Sequence, residues 1–494
     1  MSGIGSNEPS VVLDSSVCRL DEAVLVGGSP FRLIRLSDKG VTALSAVICG
    51  VQTEAANAMG TWLVEQGLAH RVVMPREDIS GGVAAVLPVH AADGHLDLSS
   101  ELRGLEVIVV DDASTPLITA GPEARMVIRT GEVPSGPASA RNVGAAEVEA
   151  DLIVFVDHDI VLTGGLLERL VAHFDDPAVV AAAPRIISVA AAGLAASIEA
   201  GRCALDLGSD RAWVTPGGRV SYVPTAVFMV RRSAFEEVGG FDVTMVVGED
   251  VDLCWRLARI GRIVYDPDAV AGHQARGSLG EVIRRRFEYG TSAGALDRKH
   301  PGIVRHADVS VWSLLPVIGL VVAGPVGGLL GGVGVIALSG RSLPSITARQ
   351  AARVALRGNT ASLQSLARYA IRPMLPATLA LAVASPRFRS KVLPTIAVGY
   401  GIDLVIRARG AQVLDFVDLG DERGDDVGGD RGSTVRKVPL LPAMVAGVVD
   451  DLAYSAGVWR GCIEQRRLAP LIARVRLGRV RPARALLSSP REPR

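Results

Sequence analysis

A chain of 494 residues with 49% apolar side chains is long enough for two or three globular units with substantial cores. Its 52 basic and 52 acidic side chains cancel, so no overall field gathers a polyanion, and nucleic acid is excluded as a charge-driven partner. Five cysteines at 18, 49, 203, 254 and 462, with no C-x-x-C pair, exclude a disulfide framework and a zinc ribbon and fit a reducing compartment. The first thirty residues carry acids and no apolar run long enough for a secretory signal, so the N-terminus is expected to stay inside the cell.

In residues 1–80, Ser37 is placed to cap a helix from Asp38 to Cys49, with Val41, Leu44 and Ile48 spaced for one buried face. Thr53 opens a second helix to Gln66, Gly67 supplies the stop, and LAHRVV follows as a strand. Helix, helix, strand predicts a small winged-helix-like domain. DNA binding, the usual role of such a unit, needs clustered Lys and Arg, whereas the charges between Asp38 and Arg71 nearly cancel. The spacing of LSDKGVTAL and AANAMGTWLVEQGLAHRV resembles instead the peptide-recognition module of ribosomal-peptide biosynthesis. A domain that only packs on its neighbour is the alternative.

Residues 81–305 alternate buried strands with helices. GGVAAVLPVH and LEVIVVDDAS are β-branched apolar runs, SARNVGAAEVEA is helix-like, and DLIVFVDHD is a third run. The alternation predicts an α/β fold with a doubly wound, mostly parallel sheet, whose ligands bind beyond the carboxyl ends of the strands. Asp111 and Asp112 leave one such end, where the plain alternative is a solvated turn. Asp157 and Asp159 leave another, and carboxylates at i and i+2 can hold one hard divalent cation against substrate phosphates. Glu249 and Asp250 open a further helix whose Leu253, Leu257 and Ile260 are spaced for the core, with Cys254 as packing. First-turn acids also suit the helix dipole without any catalytic duty. His273, about twenty residues on, is a candidate third metal ligand or base, against the commoner structural histidine.

In the order VLPVH, VIVVDDAS, ARNVGA, FVDHD, GGFD, GEDVDLCWRL and AGHQARGS, residues 83–300 resemble the family-2 glycosyltransferases of the GT-A fold. The resemblance implies a nucleotide-sugar donor held at Pro88, Val89, Asp111 and Asp112 and by Arg141 and Asn142. It implies a divalent metal, Mg2+ or Mn2+, and the donor diphosphate at Asp157 and Asp159, with His273 completing the metal shell. Asp250, beside Glu249, takes the place of the catalytic base of an inverting single displacement. His90 and Asp93 stand where the family often has tyrosine and asparagine.

Further on, EVIRRRFEYGTSAGALDRKHP offers Arg285, Arg286 and Tyr289 to an acceptor or to lipid headgroups. The RRRF run matches only loosely the Gln/Arg-x-x-Arg-Trp signature of processive polysaccharide synthases. Residues 306–494 are expected to be a helical, membrane-associated region. Positions 309–340 carry no charge but eight glycines, Pro316 and Pro325, with arginines on both sides, which predicts a broken, re-entrant or surface-lying hairpin; a buried core helix is the alternative. The runs 373–386 and 392–402 are too short to cross a bilayer unaided. Residues 435–468 form an amphipathic stretch with Trp459 that suits a peripheral anchor. An acidic stretch fills 415–430, while residues 460–494 hold ten arginines against two glutamates and suit an anionic surface. The expected location is the cytoplasmic side of the cell membrane.

The three-part order is similar to family members that glycosylate a redox cofactor precursor made from a ribosomal peptide. This implies a peptide-derived small-molecule acceptor, a β-linked glucose chain from UDP-glucose, and a peptide or biosynthetic enzyme as partner of the N-terminal domain. A membrane polysaccharide or glycolipid synthase of the same family is the alternative within this class. Outside it stands a non-catalytic nucleotide-sugar-binding or scaffold protein.

Overall fold

The computed structural model describes residues 10–29, 31–90, 94–96, 98–121, 124–274, 278–311, 314–342, 347–418 and 431–476. The N-terminal unit consists of β1 (Val11–Leu13), β2 (Cys18–Arg19), β3 (Val24–Gly27), β4 (Arg32–Arg35), α1 (Asp38–Ile48), α2 (Glu54–Glu65) and β5 (Ala69–Arg71). Ser37 and Thr53 cap the two helices, their hydroxyls accepting from the Gly40 and Ala56 amides, which satisfies otherwise orphaned donors. Strands β2, β3 and β4 form an antiparallel sheet that the sequence reading did not include, and β1 pairs with β5. The buried stripe of α1 is Gly40, Ala43, Leu44 and Val47. Val41 is therefore only half-buried and Ile48 is exposed, which corrects the expected face around Leu44.

The central part runs in chain order through β6 (Val83–Val89), β7 (His95–Leu96), β8 (Glu106–Asp111), β9 (Thr119–Ala120), β10 (Met126–Arg129), α3 (Pro137–Ala146), β11 (Leu152–Val156), β12 (Ile160–Leu162) and α4 (Leu166–Ala172). It continues with β13 (Val179–Val189), α5 (Leu194–Gly201), β14 (Ala212–Trp213), β15 (Val227–Arg231), α6 (Arg232–Glu237), α7 (Glu249–Leu257), β16 (Arg262–His273) and α8 (Leu279–Lys299). Successive strand residues alternate between faces. Ile153 and Phe155 of β11 meet Phe228, Phe235, Phe241 and Leu253 on one side. Val154 and Val156 meet Leu167, Leu170 and Met229 on the other. Burial of both faces explains why these strands read as unbroken apolar runs. Ile260 lies beyond the end of α7 and is exposed, so it does not share the buried stripe of Leu253 and Leu257.

The remaining elements are β17 (Asp308–Ser310), α9 (Leu314–Ser342), α10 (Ala348–Ile371), α11 (Leu375–Ala384), α12 (Leu393–Gly410), β18 (Gln412–Asp418), β19 (Arg431–Lys437), α13 (Leu440–Glu464) and β20 (Arg474–Arg476). Helix α9 breaks at Gly324, where φ is 68°, and Pro325 follows. Its two legs fold back on each other, Gly319 against Gly327 and Gly331 against Leu315, so the uncharged run is a hairpin. One face of helix α13 packs on α8, while Leu441, Val445 and Ile463 of the same helix are exposed. Glycines 290 and 294 of α8 meet glycines 457 and 461 of α13 backbone to backbone, and Trp459 donates its indole N–H to the Pro373 carbonyl at 2.6 Å. A face that closely packed is not free to lie on lipid.

The large sheet has the order β10-β8-β6-β11-β15-β13-β16-β12, with β14 on β16 and the β18–β19 hairpin on β13. Strands β10, β8, β6 and β11 are parallel, but β15 runs opposite to both its neighbours. Five pairings are parallel and five antiparallel among the described residues, so the α/β class holds with a mixed sheet rather than a mostly parallel one.

Candidate active site

Strand β11 ends at Val156, and the Asp157 amide still donates to the Ala226 carbonyl at 2.9 Å. The chain then turns into β12, which pairs antiparallel with β16 so that Ile160 stands opposite His273. This register carries His273 to the aspartate turn, where its Nε2 lies 3.2 Å from Asp159 Oδ2. The imidazole is buried. Among the described residues its Nδ1 has no hydrogen-bond partner, and it stands 3.9 Å from Glu199 Oε1 on α5.

Arg141 joins this turn to the second acidic pair. It is buried on α3, donates to Asp157 Oδ1 at 2.6 Å and lies 3.5 Å from Glu249 Oε1. Burial works against its charge, yet Asp157 and Glu249 hold its pKa above the ordinary value. Glu249 and Asp250 open α7 behind Gly248, whose φ of 88° is a turn that L side chains rarely adopt. They are half-buried and line a cleft. Burial, then the charge of Glu249, pushes Asp250 up to about 7. Burial also raises Glu249, with Arg141 opposing. Helix-dipole stabilisation of these first-turn acids is outweighed. A carboxylate poised near neutrality in a cleft has the property required of a general base.

The cleft is a cavity of about 720 Å3 lined by Arg141, Asp157, Asp159, Glu249, Asp250 and His273, within the size range of small-molecule sites. Among the described residues no three acids, histidines or cysteines form a finished metal cage. Asp159 and His273, with Asp157 in the same turn, still make a hard oxygen and imidazole donor set that fits a divalent cation whose shell substrate oxygens complete. The partnerless Nδ1 of a buried histidine is consistent with a side chain held for a ligand.

The family model described as "Glycosyl transferase family group 2" matches residues 152–293. A pre-mycofactocin glycosyltransferase from two strains of Mycobacterium tuberculosis is 35% identical over 482 residues, covering 92% of this chain and 95% of the relative. The chain belongs to the family-2 glycosyltransferases. It is a sugar-transferring enzyme. Among solved structures, this glycosyltransferase is distantly similar to a mannosyltransferase of Pyrobaculum calidifontis in complex with GDP-Man and Mn2+, at 18% identity, TM-score 0.32, and 74% and 98% coverage of the two chains. It is also similar to GalNAc-T7 with UDP, GalNAc and Mn2+, at 15% identity, TM-score 0.31, and 47% and 53% coverage.

Of the residues singled out in this glycosyltransferase, Arg285 and Tyr289 also line the cavity. Pro88, Val89, Asp111, Asp112, Asn142 and Arg286 do not. Pro88 and Val89 are buried where β6 pairs with β8. Asp111 accepts from the Ser114 amide at 2.8 Å and from Arg129 at 2.9 Å. Asp112 accepts from Thr130 at 2.6 Å and from the Ser135 and Gly136 amides at 2.8 Å. Burial tends to raise both, but these hydrogen bonds prevail and hold them below the usual carboxylate range. Asp112 thereby fixes the turn from which α3 carries Arg141 into the cavity.

Asn142 clasps Phe241, its Nδ2 donating to the Phe241 carbonyl at 2.8 Å and its Oδ1 accepting from the Phe241 amide at 2.9 Å. Arg286 pairs with Asp450 of α13 at 3.1 Å. His90 Nδ1 lies 2.7 Å from the Asp112 carbonyl oxygen, and Asp93 is outside the described residues. The sequence reading passed over Glu199, Tyr222, His306 and Tyr454, all beside or lining the site. No local motif marks them, since they arrive from distant elements.

Proposed function

We propose that this glycosyltransferase moves glucose from UDP-glucose onto a peptide-derived redox cofactor of the mycofactocin type, building a β-linked oligosaccharide on a GT-A scaffold. The near full-length similarity to the pre-mycofactocin glycosyltransferase supports the acceptor class. Asp250, raised to about 7 inside the cavity, is the observation that carries the mechanism. The reaction is a single inverting displacement. Asp250 takes the proton of the acceptor hydroxyl as its oxygen bonds to the anomeric carbon and the bond to the diphosphate oxygen breaks. Arg141, held between Asp157 and Glu249, keeps the two acidic pairs in register. Asp157, Asp159 and His273 would hold a divalent cation, which when bound would supply charge neutralisation at the donor diphosphate.

The α9 hairpin supports attachment to the cytoplasmic face of the membrane. Ile318, Val322, Val326, Leu329 and Leu330 are all exposed on it, and Lys391 clasps its bend through the Val322 carbonyl at 3.2 Å. Its exposed neighbours Arg387 and Arg389 suit anionic headgroups. The N-terminal domain is proposed, as a winged-helix-like unit, to receive a peptide or a biosynthetic enzyme. Purified protein incubated with a panel of nucleotide sugars, Mg2+ or Mn2+, and the peptide-derived acceptor tests the main reading. Consumption of UDP-glucose with acceptor mass rising in hexose increments is expected. A flat response to every donor would return the chain to a binding role.

A further inference from the structure

The cavity around Asp250 has an aromatic flank assembled from three distant parts of the chain. Tyr222 precedes β15, Tyr289 lies on α8 and Tyr454 on α13, and all three line the cavity with His306 beside them. The mechanism above uses none of them. Tyr454 is held by a chain of oriented contacts. His306 Nδ1–H donates to the Pro470 carbonyl at 2.9 Å, which leaves Nε2 to accept from the Tyr454 hydroxyl at 3.3 Å. The two rings meet edge to face with centroids 5.8 Å apart.

Arg372 lies over one face of the Tyr454 ring, 4.0 Å from its centroid. That guanidinium is anchored on Asp450 at 3.4 Å and Asp451 at 3.2 Å. Burial lowers His306 to about 4, so it is neutral at working pH. Burial raises the phenols of Tyr222 and Tyr454, and the charge of Asp250 adds to the effect at Tyr222. Both therefore remain hydrogen-bond donors.

We propose that Tyr222, Tyr289 and Tyr454 form the acceptor subsite, and that it takes a ring-bearing acceptor, aryl or pyranose, stacked on Tyr454 with a hydroxyl directed at Asp250. This rests on the transfer reaction above and specifies which side of the site meets the acceptor. Arg372 backs one face of Tyr454, and the side chain also lines the cavity, where an entering ring would meet it. Flat phenols offer large contact area at low entropic cost and keep a polar edge for hydroxyl groups. A lipid chain would need an uninterrupted apolar tunnel, whereas this cavity is also lined by Arg141, Asp157, Asp159, Glu249, Asp250 and His273. The subsite also explains why the C-terminal helices are joined so firmly to the catalytic part: Tyr454 stands three residues before Gly457, at the closest approach of α13 to α8.

Calorimetric titration of the full chain with phenol, methyl β-D-glucoside and phenyl β-D-glucoside, without donor, tests this. Phenyl β-D-glucoside is expected to bind wild type. Tyr454→Ala is expected to weaken it about tenfold while still unfolding in one cooperative transition, whereas Tyr454→Phe stays within about threefold because stacking survives. Phenol binding without methyl glucoside binding assigns the aryl ring, and the converse assigns the sugar. If Tyr454→Ala loses its thermal transition, Tyr289→Ala decides by the same criterion. An unchanged Kd in a folded variant, or no binding of any probe to wild type, overturns the subsite. Failure of the transfer reading appears separately, as no consumption of UDP-glucose, and leaves these titrations standing.

Discussion

Asp250 must be ionised to accept a proton, so its raised value becomes a rate law. With Asp250 at about 7, kcat/KM is expected to climb about tenfold per pH unit below that value and level off above it. Asp250→Asn should lower kcat by about 10²–10⁴ while donor affinity, read by titration, persists; near-normal transfer would remove Asp250 from the role of base. Arg141→Lys should fail despite keeping the charge, because one ammonium cannot span Asp157 and Glu249. A large fall in turnover with retained folding is the expected result, and wild-type kinetics would contradict it. The convergence of Asp157, Asp159, Glu249 and Asp250 on one cavity was legible to the extent that each leaves a strand or opens a helix within a few residues of a recognisable run. Asp111 and Asp112 look identical to them in the sequence, yet their oxygens are taken by Ser114, Arg129, Thr130 and Ser135. Only folding reveals which acids are already satisfied.

Helices announced by their caps were legible to within a residue or so, as Ser37 and Thr53 show. Pairing was not. The reversed direction of β15 and the arrival of β18 on β13 depend on neighbours more than forty residues away in the sequence, and an apolar run carries no sign of strand direction. Helix α13 shows the same limit. The sequence reading made no use of its glycines, whereas Gly457 lets the Phe287 carbonyl of α8 approach so closely that a Cβ would collide with it. Gly457→Ala should therefore cost about 1–3 kcal/mol, seen as a lowered thermal midpoint, and should disturb the cavity through Tyr454. A variant as stable as wild type would show that the two helices part easily.

The molecule as a whole gathers one cavity from its central sheet and its C-terminal helices. Arg141, Asp250, Tyr454 and Arg474 line it together. Ending the chain after Arg305 would uncover β13, which loses β18, and the glycine face of α8, which loses α13. Such a fragment is expected to aggregate, and a soluble, active fragment would contradict the assembly described. The exposed α9 hairpin should carry the full chain to anionic vesicles in sedimentation, with release by Val326→Glu and Leu330→Glu; unchanged pelleting of the double variant would count against the hairpin. The parallel pairing of β17 with β20 joins Asp308–Ser310 to Arg474–Arg476. During translation, Asp157, Asp159, Glu249, Asp250 and His273 would leave the ribosome some two hundred residues before Arg474–Arg476 emerged. A nascent chain would thus hold these reactive groups without a closed chamber until β20 had joined β17.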